Sequence, residues 1–383
     1  MNSKDGIKRG PFGSSLKKSF FVKKSDYVVY EQQNAIYDQF STRYFINEVK
    51  YNELEAFSLK PNDFILSGSG TIGCISLVPD NIKKGVINQA LIRIRINQNI
   101  TNKFFFLQWM RSSYMQRRLT QANPGSAITN LVPISEIKNW KVTVPNNKIQ
   151  KHIGKILTQL DTLLSLQQRK LELEKQLELY VTDDLLVYET ESKIIPKVRF
   201  NSFCQSWKKV KLKEIIGKIQ SGNRLPKTNL EEGSIPYILA QSKNNGIYMY
   251  ISKDTLDFNG NALKLFPADS ITFSIDNPQA IYYQPEPFYT SNIMRVIHSQ
   301  HLNKFDYMFI IMNLKKYTKE FDWSRKFSGP VVSNLQVSIP GNIDERRKIG
   351  KLICKIQLHR LLDEKAKREI IKLKRFLLQN LFI

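Results

Sequence analysis

Cysteine is scarce in this sequence: only three occur in 383 residues, and no two of them form a CxxC pair. Such spacing predicts neither a disulfide framework nor a zinc site. Long apolar runs are also missing, because the longest, such as residues 104–107, are far too short to cross a bilayer. The basic N-terminus lacks the apolar core of a signal peptide. We therefore expect a cytoplasmic protein that has no membrane segment and no bound metal.

Signatures of catalysis are equally scarce. The sequence contains no P-loop, no HExxH pair and no paired-carboxylate nuclease pattern, and its four histidines form no nucleophilic arrangement. Residues 276–279, Asp-Asn-Pro-Gln, resemble the loop with which amino-methyltransferases hold a target base, but they lack its second proline and its aromatic residue. We expect no catalytic residue in this chain.

One glycine-rich segment has the GxGxxG spacing of dinucleotide-binding proteins. Residues 68–73 read Gly-Ser-Gly-Thr-Ile-Gly. A cofactor site would require a helix to begin there, so that its N-terminus faces the pyrophosphate. The residues that follow are β-branched and end at Pro79, which predicts a strand instead. We interpret the segment as a tight hairpin and expect no cofactor.

Acidic residues are too few to balance the basic ones. Lysine and arginine number 58 against 34 aspartates and glutamates, which gives a formal net charge of +24. A chain with this charge repels itself, and the usual reason for retaining such a charge is a polyanionic partner. Composition therefore favours binding to a polyanion such as double-stranded DNA.

The sequence contains an internal duplication of about 200 residues. Short matches recur in the same order in both halves, and their offsets of 206, 201 and 196 residues drift only slightly, as small loop insertions would produce. The second copy opens with residues 196–212, and an offset of 206 places the counterpart of Trp207 at residue 1. We therefore expect the first copy to lack its lead-in strand or to carry a diverged one. The matching segments are residues 59–65 and 265–271, 102–104 and 303–305, and 153–155 and 349–351.

A long helix is predicted at the end of each copy. Apolar residues recur there at steps of three and four, which is the spacing of a coiled coil, and a proline precedes each stretch. A helix that is polar over most of its surface needs a partner for its apolar stripe, and chain connectivity favours antiparallel pairing of the two helices. The predicted pairing residues are Ile153, Ile156, Leu160, Leu163, Leu173 and Leu177 in the first helix and Ile349, Leu352, Ile356, Ile370, Leu373 and Leu377 in the second.

Each copy begins with short strands separated by turns, followed by a helix near residues 104–116 or 305–317. The predicted fold class is α+β: two pseudo-repeated mixed α/β domains with antiparallel or barrel-like sheets, each followed by a long helix, with the helices pairing as an antiparallel coiled coil. The predicted divisions are residues 1–145 for the first recognition domain, 146–190 for the central helix, 191–340 for the second recognition domain and 341–383 for the C-terminal helix.

Polar and basic loop residues are the candidates for DNA contacts. Lysine and arginine reach phosphates, and arginine, asparagine and glutamine can pair with base edges. In the first copy the candidates are Lys8, Arg9, Ser14, Ser15, Lys17, Lys18, Ser67, Ser69, Arg117, Arg118, Gln121 and Asn123. In the second copy they are Ser221, Asn223, Arg224, Gln241, Lys243, Asn244, Asn277, Gln279, Arg325 and Lys326.

These segments together resemble the specificity subunits of type I restriction–modification systems. The likeness extends over nearly the whole chain, and the order of the degenerate motifs is more specific than any one of them. Residues 8–18 look like the opening loop of a target recognition domain of this family, residues 63–73 and 87–92 like its central strands, residues 128–145 like its exit into the long helix, and residues 196–212 like the join between repeats.

The resemblance implies two target recognition domains, antiparallel helices that act as a molecular ruler, and a bipartite asymmetric DNA target. It also implies assembly with two methyltransferase subunits, to which restriction (translocase and nuclease) subunits can be added. Methylation, cleavage and the binding of S-adenosylmethionine and ATP would belong to those partners. From the residues alone, two alternatives stay open: a self-contained DNA methyltransferase or nucleotide-dependent enzyme that uses residues 68–73, and a non-specific basic coiled-coil DNA-binding scaffold.

Overall fold

The computed structural model describes residues 5–120, 131–185, 188–189 and 194–382. The chain divides into two compact units: unit 1 comprises Met1–Gln168 with Lys365–Ile383, and unit 2 comprises Arg169–Glu364. Each unit therefore contains a part of both long helices. Within the described ranges, no helix is long and apolar enough to cross a membrane.

Unit 1 contains two four-stranded sheets. Its strands are β1 (Ile7–Arg9), β2 (Phe21–Val22), β3 (Tyr27–Tyr30), β4 (Tyr44–Ile46), β5 (Phe64–Ser67), β6 (Ile75–Leu77), β7 (Gly85–Ile87) and β8 (Leu91–Ile94). One sheet has the order β1-β8-β5-β6 and is antiparallel. The other has the order β2-β4-β3-β7, in which β3 and β7 run parallel. Both faces of β5 are covered, since all four of its residues are buried.

The helices of unit 1 are α1 (Gln32–Tyr37), α2 (Glu48–Glu53), α3 (Lys103–Arg111), α4 (Ser113–Thr120), α5 (Ile134–Asn139) and the first part of α6 (Asn147–Leu185), together with the end of α10 (Ile343–Leu381). Asn102 caps α3 by accepting hydrogen bonds from the backbone of Phe104 and Phe105. The single helix predicted near residues 104–116 is two helices, because Ser112 is extended between them. Phe106 of α3 packs edge-on against Phe64 of β5, with ring centroids 4.8 Å apart.

Unit 2 repeats this architecture. Its strands are β9 (Tyr188–Glu189), β10 (Ile194–Ile195), β11 (Lys208–Lys211), β12 (Gln220–Ser221), β13 (Glu232–Ile238), β14 (Ile247–Ile251), β15 (Ser270–Ser274), β16 (Ile281–Gln284), β17 (Tyr289–Thr290), β18 (Met294–Ile297) and β19 (Gln336–Ile339). The sheet order β12-β18-β15-β16 matches β1-β8-β5-β6, and the parallel pair β13 and β17 matches β3 and β7. The predicted duplication and α+β fold class are therefore confirmed.

The helices of unit 2 are α7 (Lys213–Ile216), α8 (Lys304–Glu320), α9 (Gly329–Ser333) and the first part of α10 (Ile343–Leu381), together with the end of α6. Asn303 caps α8 as Asn102 caps α3, and Asp306 completes a capping box. The carboxylate of Asp306 is fully buried and pairs with Arg346 and Arg347 of α10, at 2.7 Å and 3.2 Å. These contacts fix the domain helix of unit 2 against the start of α10.

The two long helices pair in each unit in the antiparallel sense. In unit 1, the early residue Leu157 of α6 is buried in a cluster with Phe105 and the late residue Phe382, just beyond the end of α10. In unit 2, the late residue Glu178 of α6 accepts a hydrogen bond of 3.0 Å from Gln357, in the first half of α10, and also pairs with Arg360. The predicted antiparallel coiled coil is therefore confirmed.

Several predicted pairing residues do not lie in this seam. On α6, Ile156, Leu163, Leu173 and Leu177 are 48%, 45%, 54% and 49% exposed, and on α10 Leu373 is 49% exposed. Their assignment to the seam is wrong. The remaining predicted pairing residues are buried or half-buried: Ile153, Leu160, Ile349, Leu352, Ile356, Ile370 and Leu377.

The error has a physical cause. Buried or half-buried positions recur on α6 with a strict heptad spacing, at Ile153, Leu157, Leu160, Leu164, Gln167, Leu171, Glu174, Glu178, Val181 and Leu185. Three of these positions are polar: Gln167, Glu174 and Glu178. A search for apolar residues at heptad spacing therefore selects the neighbouring face of the helix as the seam. Charged pairs replace apolar contacts in the middle of the seam, such as Lys170 with Asp363 at 2.6 Å.

Each long helix crosses its domain helix at a glycine. A Cβ added at Gly350 would lie 2.0 Å from the carbonyl oxygen of Phe305, and one added at Gly154 would lie 2.7 Å from the backbone nitrogen of Phe105. Glycine in a helix interior costs stability relative to alanine. Both glycines are therefore explained by the closeness of the two backbones.

We predict that Gly350→Ala lowers the free energy of unfolding by about 1–3 kcal/mol, because the helices must separate to admit the methyl group. Denaturant titration followed by circular dichroism measures the loss. Ser165→Ala, at an exposed position of α6, is the matched control and should leave stability unchanged or slightly higher. Equal effects of the two substitutions would contradict the packing explanation.

The seam also contains two carboxyl groups that face each other. Burial, followed by a hydrogen bond with Asp363, raises the pKa of Glu174 above its ordinary value of 4.5, although Lys170 and His359 oppose the rise. A carboxyl group whose pKa is raised in the folded state stabilises the protein when the pH is below the ordinary pKa of that group. This stabilisation is lost as the pH rises through the raised pKa.

We predict that Glu174→Gln removes this pH dependence, because the amide can donate to Asp363 at any pH. The melting temperature of the variant relative to the parent should rise as pH is increased from 4.5 towards neutrality. Glu172→Gln, at an exposed position of the same helix, is the control. A constant difference across this pH range would refute the paired-carboxyl interpretation.

Candidate nucleic-acid interface

In unit 1, three of the candidate residues, Arg9, Ser67 and Ser69, meet at the turn between β5 and β6. Residues 68–73 form this turn, with left-handed backbone at Gly70 and Gly73 that only glycine adopts without strain. Strand β6 follows, not a helix, as the sequence predicts. Ser67 is fully buried, and its hydroxyl accepts a hydrogen bond of 2.9 Å from the backbone of Cys74. Ser67 thus holds the turn closed and presents no polar atom to the surface.

Three loops of unit 1 meet at this turn. Arg9, at the end of β1, donates to the carbonyl oxygen of Gln89 at 3.0 Å and to the hydroxyl of Ser69 at 3.1 Å. Gln32 donates to the carbonyl oxygens of Ser69 and Thr71. The structure therefore joins residues 9–15, 67–73 and 88–90 into one cluster, with Gln32 behind it.

The remaining candidates of unit 1 differ in exposure. Ser14, Ser15, Lys17, Lys18 and Arg117 are exposed. Lys8 is turned aside by an ion pair with Asp5 at 3.5 Å. Arg118 stacks on the ring of Trp140, 4.3 Å from its centroid. Gln121, Asn123 and residues 128–130 lie outside the described residues.

In unit 2, three loops meet around the topologically equivalent turn between β15 and β16. Asn277 donates a hydrogen bond of 3.0 Å to the carbonyl oxygen of Ala240, and Lys326 pairs with Asp276 at 3.0 Å. Gln241 is half-buried, and its backbone carbonyl accepts a hydrogen bond of 3.1 Å from the hydroxyl of Tyr282. The side chains left exposed around this turn are Lys243, Asn244, Gln279, Arg325 and Lys326.

A second group of candidates in unit 2 follows β12. Asn223 donates to Asp257 at 3.0 Å and accepts from the backbone of Lys264 at 3.0 Å, so its amide group is used within the fold. Hydrogen bonds from the backbone of Asn261 and from Asn223 lower the pKa of Asp257, which keeps this carboxylate charged. Arg224 is exposed and lies over the ring of Phe258, 4.6 Å from its centroid.

Ser221 is exposed and accepts a hydrogen bond of 3.1 Å from Arg295. Thr290 connects the two groups of unit 2, since its carbonyl accepts from the backbone of Asn223 and its hydroxyl donates to the carbonyl of Ile238. Arg295, Gln32 and Gln89 are absent from the sequence-based candidates. The two glutamines could have been found from the sequence. Gln32 comes two residues after the end of β3, and Gln89 comes two residues after the end of β7. Because these strands are parallel neighbours, they end at the same edge of the sheet, which brings the two side chains to one place.

Each unit thus presents arginine, lysine and amide side chains from loops that the sheet brings together. Cations of this kind contact phosphates, and amide groups can pair with base edges. Among the described residues, no group of histidine, cysteine, aspartate and glutamate side chains could hold a metal ion.

Comparison with known proteins identifies the family. Residues 12–175 and 205–373 each match the family model described as the type I restriction modification DNA specificity domain. A curated relative, the type II restriction enzyme specificity subunit S.BcgI from Heyndrickxia coagulans, is 24% identical over 140 residues, which are 36% of this chain and 39% of that protein. The match therefore spans well under half of the relative's length.

Solved structures share the fold at low sequence identity. The crystal structure of the type-I restriction-modification system S subunit from M. genitalium has a TM-score of 0.63 and 18% identity, and covers 98% of this chain and 93% of that one. A structure from work on complex assembly and conformational transition of the type I R-M system has a TM-score of 0.53 and 13% identity, and covers 98% and 94% of the two chains. Because the two matched segments cover most of its residues, the chain belongs to the type I restriction–modification specificity subunit family.

Proposed function

We propose that this specificity subunit binds double-stranded DNA at a bipartite, asymmetric sequence, with one half of the target contacted by each unit. One observation carries the proposal: in both units, the turn between equivalent strands gathers basic and amide side chains from three loops. The net charge of +24 supports a polyanionic partner.

The side chains around the two turns differ, which supports an asymmetric target. Unit 1 offers Arg9 with Ser69 and exposed Ser14, whereas unit 2 offers exposed Asn244 and Gln279. Arginine pairs best with guanine, while asparagine and glutamine pair best with adenine. The two half-sites should therefore have different base sequences. We further propose that the length of the paired helices, 39 residues each, sets the gap between the half-sites.

We propose that the chain acts in the cytoplasm as the DNA-recognition subunit of a larger complex and that it does not itself catalyse a reaction. Two methyltransferase subunits would carry out methylation, and restriction subunits would add cleavage. The apolar residues of α6 outside the seam support assembly. Leu163 and Leu166 are exposed in unit 1, and Leu173, Leu177 and Tyr180 are exposed in unit 2. Exposed apolar stripes of this kind mark surfaces that partner helices cover.

The exposed side chain of Gln279 provides a test of base recognition. Gln279→Ala should relax base preference at one position of one half-site, at a cost of about 1–3 kcal/mol for the preferred base, because a paired hydrogen bond is lost. Mapping methylated adenines in a host that carries this gene with its partner genes measures the change. Gln176→Ala, at an exposed position of α6, is the control. Altered bases in both half-sites would be incompatible with separate reading by each unit.

A phosphate contact should behave differently from a base contact. Lys17→Ala should weaken binding to all sequences alike and reduce the slope of log K against log salt by about 1. Titration of the purified complex with the target and with random DNA at several salt concentrations measures both quantities. An unchanged slope would remove Lys17 from the phosphate contacts. Equal affinity for target and random DNA in the parent complex would favour a non-specific scaffold.

The apolar stripe of α6 provides a test of assembly. Leu177→Glu should abolish co-purification with the methyltransferase subunit, because it places a charge in the apolar stripe, while the melting temperature of the chain alone stays unchanged. Lys175→Glu alters charge more strongly at an exposed position outside the stripe and should leave assembly intact. If the leucine variant still assembles, the stripe is not the partner surface.

A further inference from the structure

The segments that lead into the two long helices are equivalent in sequence. Residues 140–145 read Trp-Lys-Val-Thr-Val-Pro and residues 335–340 read Leu-Gln-Val-Ser-Ile-Pro, with an offset of 195. In both, apolar residues alternate with polar ones, which is the pattern of a strand with one covered face. The two segments nevertheless have different environments in the structure.

In unit 2 this segment is paired. Strand β11 runs antiparallel to β19, with Val210 opposite Val337 and Lys211 opposite Gln336. Leu212 continues the pairing by donating a hydrogen bond of 2.9 Å to the carbonyl of Leu335. The strand is anchored on both sides, since Trp207 before it and Leu212 after it are buried in the main core of unit 2.

In unit 1 the equivalent segment has no such cover. Val142 corresponds to the buried Val337 and is 44% exposed, and no strand in the part of unit 1 that the structure describes pairs with residues 141–144. A cavity of about 460 Å³ opens beside it. The cavity is mostly apolar, and its walls include Ile96, Trp109, Met115, Trp140 and Val144.

Residues 141–144 form no strand in the structure, but an unpaired segment with this pattern, beside an apolar cavity, offers an edge for strand addition. The edge supplies backbone hydrogen-bonding groups, and the cavity accepts a side chain from the added strand. Its volume lies within the range of about 300–1,000 Å³ that ligand pockets occupy. In unit 2 the partner strand supplies Trp207, Val210 and Leu212. A strand that fits unit 1 would therefore carry an aromatic residue, a valine three positions later and a leucine two positions after the valine.

Charge refines the choice of ligand. Position 141 is a lysine where its equivalent at 336 is a glutamine, and Lys138 lines the same cavity. Lys211 lies opposite Gln336 in unit 2, and Lys141 is the equivalent of Gln336. Lys141 would therefore lie opposite the residue of the added strand that corresponds to Lys211. Opposite charges directly across a strand pair attract and like charges repel. An acidic residue at that position is therefore favoured.

We propose that the groove formed by residues 140–144 and this cavity binds an extended peptide segment of a partner chain. The segment adds a strand antiparallel to residues 141–144, places an aromatic side chain in the cavity and has the pattern aromatic-x-x-Val-acidic-Leu. Binding joins this segment to unit 1 in the way that residues 207–212 are joined to unit 2 within one chain.

A peptide of residues 205–218 of this chain, carrying Lys211→Glu and a fluorescent label, tests the proposal by anisotropy with the full-length protein. We expect saturable binding that is about two- to fivefold tighter than binding of the unsubstituted peptide. Trp207→Ala in the peptide, or Val142→Asp in the protein, should weaken binding about tenfold or more. The titration contains no DNA, so its outcome is independent of the proposed sequence recognition.

Hydrogen exchange locates the bound peptide. The amides of residues 141–144 should become protected when the peptide binds, because they enter a strand pair. Three outcomes overturn the proposal: no saturable binding, equal binding to the Val142→Asp protein with an unchanged melting temperature, or protection confined to residues 336–339. The Trp207→Ala peptide keeps the test decisive if the protein variant loses its fold, because it leaves the protein unaltered.

Discussion

Charged pairs between α6 and α10 are the constraint on which both units depend. Asp161 and Lys374, 213 residues apart in sequence, pair in unit 1. Glu178 and Arg360, 182 residues apart, pair in unit 2. Apolar residues slide past one another at little cost, whereas a charge withdrawn from its partner in a half-buried seam is left unpaired. The pairs therefore fix one register of the antiparallel helices.

This polar seam explains why the sequence predicts the helices well and their contacting faces less well. Their existence and approximate ends follow from the three-and-four spacing and the preceding prolines, and their antiparallel pairing follows from chain connectivity. Assignment of the contacting face from apolar residues fails at Leu163 and Leu177, because Gln167 and Glu178 occupy seam positions. A pattern method treats those polar residues as solvent-facing. Their partners on α10 cannot be known before the register is known.

The sheets were more predictable than the interface. Short apolar runs mark β3, β5 and β8 closely, and the repeat offsets indicate that unit 2 has the same strands. The meeting of the loops depends on the parallel pairing of β3 with β7, a contact between distant segments that no local pattern encodes. Several polar groups that resemble ligand contacts, such as those of Ser67 and Asn223, are used to hold turns together.

The duplicated units differ in the side chains around their two turns and share their helix crossings. Gly154 and Gly350 occupy equivalent positions against α3 and α8, and Asn102 and Asn303 cap those helices in the same way. Backbone approach and capping leave little freedom for substitution. The loops around the two turns carry different side chains on the same strand order, so binding chemistry could vary without altering the core.

The packing of Phe382 on Phe105, with ring centroids 5.4 Å apart, has a consequence for the order of folding. A ribosome completes Met1–Gln168 long before it reaches Lys365–Ile383, so α3 emerges with part of its apolar surface uncovered. Unit 2 needs only Arg169–Glu364, and these residues are available earlier than the last segment of unit 1. The half of the protein that is synthesised first therefore completes one of its apolar clusters, that of Phe105 and Leu157, last.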